Sequence, residues 1–356
     1  MGVPGPGLWH LTRPGAALCE LKWALMLRRA AVVTVEQHAA AVAGQDRRSK
    51  GIEEVIGCGL CGARRAQPLF HAQDRKRDPP RWNYHVVRCP TCGLLYRHPG
   101  IRADRLGDLY ARGYSKFLGG RYRRERQRRY RLVMDAFAPL FADGAERRLL
   151  DFGCGTGLFL RVVHERGFDC HGVDLAADSI EAARRRPGGE MTFVGAPTDA
   201  PAIAAGGFDV ITMWSVLAHL AEPVQDVTML RRLLAPDGVL LILTVNANSL
   251  RLKRDRAGWG GFTPNHLKFF SPTTLPALLA RAGFGAVVMR PMYGDAIETG
   301  ASRLSPDRQR TLCRVVDRGN RGNMLRAVAF ADPDGPGPWG MADEAMRLGA
   351  VASTAG

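Results

Sequence analysis

Between residues 149 and 157 the chain reads LLDFGCGTG. A short apolar run with strand character meets an acid and then three alternate glycines, Gly153, Gly155 and Gly157, before a helical pattern opens at Leu158. Glycines there let the backbone approach a ligand closely where strand gives way to helix. A dinucleotide turn of the G-x-G-x-x-G type needs its third glycine where Leu158 stands, which weakens a nicotinamide reading. Asp174 closes the next strand, 17 residues after Gly157, where a carboxylate can accept both hydroxyls of a ribose lying along the carboxyl edge of a parallel sheet. Asp151 sits beneath the turn, and its charge suits a ligand that carries a cation.

From residue 147 to 291, short apolar strands alternate with helical patterns, as crossover helices on a parallel sheet require. The strands expected are 149–153, 169–175, 191–195, 208–214, 238–245 and 286–291. The fold class is therefore α/β, doubly wound and mostly parallel.

Upstream, Cys58 and Cys61 in CGLC face Cys89 and Cys92 in CPTC across 27 residues. Each C-x-x-C turn aims two thiolates at one point, and two such turns supply the tetrahedral sulfur shell that Zn2+ favours. With all four positions filled by sulfur such a zinc is structural. Disulfide pairing and a redox C-x-x-C are the competing readings, the first disfavoured in a cytosolic chain and the second needing no duplicate. Between the pairs, DRKRDPPRW looks like a hairpin tip. Cys19, Cys154, Cys170 and Cys313 have no partner spacing and read as ordinary free thiols.

The net charge of +16 is almost wholly in the first 135 residues, net +15 against +1 in the rest. Its densest run, Arg121 to Arg131, could clamp nucleic-acid phosphates. Tyr130, Val133, Met134, Phe137, Leu140 and Phe141 nevertheless recur at helical spacing, so the arginines fit the solvated face of an amphipathic helix better. No apolar run reaches the roughly 18 to 20 residues of a membrane span, and no clean export signal opens the chain, so a cytoplasmic protein is expected. Only six of the 50 basic residues are Lys, which with the abundant Ala and Gly suggests a GC-rich bacterial gene. The first 50 residues show no caps or partner segment, and Met26 could serve as a start.

Together, LLDFGCGTG, GVDL, FDVITMWSVLAHL, RRLLAPDGVLLILTVN and NHLKFFSPTTLPALLARAGF resemble the class I S-adenosylmethionine-dependent methyltransferases. With the front module, in which a C-x-x-C is followed by YHVVRCPTCGLLYRHP, the chain looks like the bacterial subset with a zinc-ribbon-like leader. The resemblance covers residues 57 to 291. It implies a seven-stranded Rossmann-like sheet and five regions: an N-terminal extension (1–56), a zinc-ribbon-like four-cysteine module (57–99), a helical connector (100–146), the methyltransferase domain (147–295), and a C-terminal extension with a loose tail (296–356).

Residue by residue, the resemblance implies that Gly153, Cys154, Gly155, Thr156 and Gly157, above Asp151, wrap the methionyl part of S-adenosylmethionine. Asp174 would hold the ribose and Leu175 would pack on the adenine. Many relatives place an acid after the glycine of the third strand; here Ala196 and Pro197 follow Gly195, leaving Thr198 or Asp199 as substitutes. Trp214 and Ser215 end the fourth strand where cofactor and acceptor should meet.

Methyl transfer from a sulfonium is a direct displacement in which the protein aligns and desolvates the acceptor. A hydroxyl or carbon acid also needs its proton removed, and His219 and His266 are the candidate bases. Packing or loop-fixing histidines are the other reading of both. Asn246 and the connector tyrosines Tyr110, Tyr114 and Tyr122 could line the acceptor pocket. The expected function is methylation of a small-molecule or sugar and glycan-type acceptor. RNA methylation through the basic front half is the alternative, disfavoured because no Asn-Pro-Pro-Tyr type segment for a flipped amine follows the fourth strand. A cofactor-binding domain without catalysis is the third reading.

Overall fold

The computed structural model describes residues 13–43, 45, 52–73, 83–109, 120–142, 144–290, 321–332 and 346–347. Tyr110, Tyr114, Cys313, the insert at 74–82 and, in the tail, residues 333–345 and 348–356 lie outside these residues, as does the side chain of Tyr122.

The front half builds a small sheet. Helix α1 (Arg13–Arg29) leads to β1 (Val33–Thr34) and α2 (Val35–Val42). Thr34 and Gln37 form a reciprocal capping box that starts α2. After β2 (Glu53–Glu54) come β3 (Arg65–Gln73), β4 (Asn83–Arg88), β5 (Leu95–Arg97) and β6 (Gly100–Ile101). β3 and β4 pair antiparallel up to Gln73 opposite Asn83, so the predicted insert joins two hairpin strands. Cys58 and Cys61 precede β3, whereas Cys89 and Cys92 lie in the turn between β4 and β5.

Helix α3 (Gly120–Ala136) follows; Tyr130, Val133 and Met134 on it are buried as their spacing predicts, and Phe137, Leu140 and Phe141 are buried in the short 3-10 turn that succeeds it. Then β7 (Arg148–Phe152), α4 (Leu158–His164), β8 (Asp169–Asp174), α5 (Ala177–Arg184), β9 (Thr192–Val194), α6 (Pro201–Ala204), β10 (Phe208–Trp214), α7 (Pro223–Leu233) and β11 (Leu234–Val245) alternate. The chain continues through α8 (Leu250–Asp255), β12 (Lys268–Phe269), α9 (Thr274–Arg281), β13 (Ala286–Arg290), β14 (Met324–Phe330) and β15 (Met346–Arg347).

The main sheet has the order β15-β13-β14-β11-β10-β7-β8-β9. From β9 to β11 all neighbours are parallel, while β14 runs antiparallel to both β11 and β13. These are the seven strands expected, with two-residue β15 as an eighth at the edge. Strands buried on both faces read as continuous apolar runs, and FDVITMW of β10 is one.

Two parts of the architecture depart from the expected boundaries. β14 lies beyond residue 295, in the region expected to be a C-terminal extension, yet it occupies an interior position and is buried along its whole length. The N-terminal extension contributes a strand, because β1 pairs with β3. β12, from the methyltransferase half, pairs with β5 and thereby becomes an edge strand of the front sheet, ordered β1-β3-β4-β5-β12. No described helix is long and apolar enough to cross a membrane.

Candidate functional site

The carboxyl ends of β7 and β8 meet at the glycine turn. All three glycines have left-handed backbone, with φ of +77° at Gly153, +53° at Gly155 and +70° at Gly157. Two of them are required for different reasons. A Cβ on Gly153 would lie 2.3 Å from Val216 Cγ2, so this glycine admits the chain after β10. A Cβ on Gly155 would meet nothing within 4 Å, so this glycine borders open space and its backbone is left bare to a ligand.

Asp174 braces that turn: its two oxygens accept from Gly155 N and Ala176 N, each at 2.9 Å. Burial raises its pKa, and these two hydrogen bonds oppose the rise. Leu175 beside it is 57% exposed, an apolar face open for a flat ring. Asp151 is fully enclosed, accepts from Thr212 Oγ1 at 2.7 Å, and is pushed up to about 7 by desolvation. The Cys154 side chain is buried, with burial raising its thiol well above the usual value, so only its backbone belongs to the turn's surface. Thr156 is buried too, and its carbonyl accepts from Arg186 Nη1.

After β9, Asp199 turns back over Gly195 and accepts from Ala196 N at 2.9 Å. An exposed carboxylate thus stands where the sequence shows Ala196 and Pro197 in place of an acid. Thr198 is exposed beside it.

Trp214 is placed differently from the expectation. Its indole is 2% exposed and packs on Phe159 and Tyr130, with ring centroids 4.5 and 4.8 Å away. Its side chain therefore belongs to the core beside α3. Ser215, the next residue, has φ +61°, an uncommon backbone for a side-chain-bearing residue and one that clusters at functional sites.

His219 and His266 come together from separate segments, their rings edge to face with centroids 4.7 Å apart. Both are half-buried. Gly261 O lies 2.7 Å from His266 Nδ1; a carbonyl can only accept, so Nδ1 carries the proton and Nε2 has its lone pair available. Desolvation lowers the pKa of His266, although the Gly261 bond opposes it. His219 is held well below its ordinary value by desolvation and then by His266, against hydrogen bonds to the backbone of Asn265 and Ser215. Both rings are neutral near pH 7. Asn246, by contrast, is buried and engaged with backbone, donating to Gly322 O ahead of β14 at 2.7 Å and accepting from Asn248 N at 2.8 Å.

One residue of this site was not singled out by sequence. Arg126 on α3 lies close enough to Asp151, Asp174 and His219 to act electrostatically on all three. In a run of seven arginines nothing marks it; the only signal is its position four residues before buried Tyr130, on the same helical face. Arg124, Arg128 and Arg131 are not buried, as the solvated-face reading expects.

In the front module the four cysteine sulfurs lie within 4.8 Å of one another, with Cys58 to Cys92 and Cys61 to Cys89 both at 3.5 Å. Zinc bonded to four thiolates at about 2.3 Å would space its sulfurs roughly 3.8 Å apart, so the donor set and its spacing fit that ion.

The family profile described as "Methyltransferase domain" matches residues 122–288. The ubiquinone biosynthesis O-methyltransferase of Cereibacter sphaeroides (strain ATCC 17029 / ATH 2.4.9) is 33% identical over 173 residues, covering 46% of this chain and 69% of that protein. The chain belongs to the class I S-adenosylmethionine-dependent methyltransferases. A second relative of this methyltransferase, the ubiquinone biosynthesis O-methyltransferase of Psychrobacter arcticus, is 31% identical over 159 residues, 39% of this chain and 60% of that protein. The methyltransferase therefore spans between three-fifths and seven-tenths of the length of these relatives. Among solved structures it is similar to a SAM-dependent methyltransferase and possible histamine N-methyltransferase of Thermotoga maritima, with 18% identity, a TM-score of 0.44, and 64% of this chain and all of that one covered.

Proposed function

We propose that this methyltransferase transfers the methyl group of S-adenosylmethionine to a hydroxyl or acidic carbon of a small-molecule acceptor, sugar-like scaffolds included. The observation that carries this reading is the protonation of His266: with Nδ1 committed to Gly261 O, its Nε2 is a neutral base beside the carboxyl edge of the sheet. An amine acceptor needs little such help. Both ubiquinone biosynthesis relatives are O-methyltransferases by name, which speaks for an oxygen acceptor in those proteins, in keeping with a base here.

The cofactor supplies an electrophilic methyl on a sulfonium when bound. For this chain's residues, the bare backbone at Gly155 lies against the methionyl portion, and Asp174, already oriented by two backbone N–H groups, offers its remaining lone pairs to the ribose. Leu175 covers the adenine and Asp199 meets its edge. Asp151, ionised once a cation lies near it, and Arg126 would offer opposite charges beneath and beside the cleft, suited to the amine and carboxylate of an amino acid. His266 takes the acceptor's proton on Nε2, and His219 packs against it to hold the ring. The front module holds a structural zinc on Cys58, Cys61, Cys89 and Cys92, consistent with a reducing cytoplasm.

Calorimetry with S-adenosylhomocysteine, followed by methyl transfer from labelled S-adenosylmethionine to panels of catechols, phenols and nucleotide-linked sugars, tests the reading. Micromolar binding together with turnover that His266→Gln lowers at least a hundredfold is the expected result. Turnover on amines alone, with His266→Gln unaffected, would overturn it.

A further inference from the structure

The loop that carries His266 is fastened to the cysteine module. Arg97 N donates to Leu267 O at 2.9 Å, and Leu267 N donates to Ala218 O at 2.6 Å. One backbone ladder thus runs from β5 of the module through Leu267 to the residue before His219. Arg97 adds a side-chain tie: its Nη1 donates to Pro264 O at 2.8 Å, two residues before His266. The Arg97 guanidinium is 1% exposed, lies 4.9 Å from the Tyr84 ring centroid and faces Glu53 at 3.8 Å. Lys268 completes the contact. It pairs with Tyr96 in the shared sheet, and its alkyl chain lies on the first cysteine turn, where a Cβ on Gly59 would come within 2.8 Å of Lys268 Cε.

We propose that the four-cysteine module is a positioning element for the His219–His266 pair, with Arg97 as its positioning residue. The proposal rests on the reading of His266 as the base and gives the front module a part in that chemistry. Three ties set the path of residues 264–268: two backbone bonds at Leu267 and one guanidinium bond at Pro264. Within that path the ring of His266 meets Gly261 O through Nδ1 at 2.7 Å, and that bond selects its protonated nitrogen. Both the turn that precedes β5, with Cys89 and Cys92, and the turn that supports Lys268, with Cys58 and Cys61, are the segments a bound metal would fix. Arg97 sits five residues after Cys92 on the strand between metal turn and histidine loop.

The test uses full-length protein with 15N-labelled histidine, reading the imidazole signals by long-range proton–nitrogen correlation, with His266 assigned from His266→Gln. Wild type should show His266 as a single Nδ1-protonated tautomer. In Arg97→Met, with zinc content still about one per chain and S-adenosylhomocysteine affinity within about twofold of wild type, that signal should collapse to a tautomer average. Arg97→Lys should restore it in part. Ejecting zinc from wild type with a mercurial and a chelator should produce the same collapse. If Arg97→Met does not fold, Lys268→Met is read in the same way. An unchanged single-tautomer signal in the folded, zinc-bearing variant overturns the proposal. Failure of the base reading appears elsewhere, as wild-type turnover by His266→Gln, and leaves the tautomer response as it is.

Discussion

Thr212 Oγ1 donates to Asp151 Oδ1 at 2.7 Å between adjacent parallel strands, and this hydroxyl opposes the desolvation that drives the carboxyl upward. Asp151 is held at about 7 in the folded chain, against roughly 3.9 when unfolded. Because the folded pKa is the higher, the ionised form is the one that folding disfavours. The contribution of Asp151 to stability is therefore greatest below about pH 4, falls as the pH rises toward 7, and is flat above, with a span of at most about 4 kcal/mol. Asp151→Asn should abolish that pH slope, as urea unfolding at a series of pH values would reveal. Thr212→Val should steepen it and cost about 1 kcal/mol at neutral pH. A slope in wild type identical to that of Asp151→Asn would contradict the assignment.

Cofactor binding should move a proton at the same group. An amine cation placed beside Asp151 favours the carboxylate, so S-adenosylhomocysteine binding near pH 6.5 should release protons. Calorimetry in buffers of different ionisation enthalpy measures the number, and it should fall to near zero in Asp151→Asn. Equal release by both proteins would move the amine elsewhere.

The histidine pair sets the acid limb of the rate profile. His219 and His266 have folded pKa values below their ordinary ones, so both stay neutral as the pH falls through 6.5 and charge only at lower pH. Stability that depends on them is complete above the unfolded pKa of about 6.5 and is lost below it. The acid limb of kcat is expected below pH 6.5, and an acid limb centred above 7 would assign the base to another group.

The two glycines should fail in different ways. Gly153→Ala forces Val216 aside and should lower Tm by several degrees. Gly155→Ala meets no neighbour and should cost only about 1 to 2 kcal/mol of left-handed strain. It should nevertheless weaken S-adenosylhomocysteine binding at least tenfold, because its methyl enters the open space. Equal affinity in wild type and Gly155→Ala would place the ligand away from the turn.

Arg126→Met tests the residue that the sequence did not mark. Removing this guanidinium should weaken S-adenosylhomocysteine affinity about tenfold and raise the pKa of Asp151 further, since Arg126 pulls it down. Arg128→Met, on the outer side of the same helix, should change neither. Similar effects from both substitutions would reduce Arg126 to part of a general basic field.

Much of this molecule is fixed by local sequence. The six strands from 149 to 291 appear within a few residues of where their apolar runs place them, because a buried parallel strand must be apolar on both faces. The glycine turn, Asp174 and the two C-x-x-C turns are equally local, each a short stretch whose backbone needs or whose side chains advertise its geometry. Other features depend on what comes near in three dimensions. β14 is an ordinary apolar run in isolation, and its place in the sheet is set by antiparallel pairing with both β11 and β13, strands distant from it in the chain. Trp214 stands at a strand end next to the site, but strand alternation and the aromatic rings of Tyr130 and Phe159 turn it inward. Arg126 differs from its six neighbours only by the face of α3 it occupies. The meeting of His219 with His266, and the tie from Arg97 to the loop that carries His266, join residues far apart in the chain beside β12, the strand that the methyltransferase half lends to the front sheet. No period or spacing encodes such a contact, because its free energy comes from packing that exists only once both halves have folded.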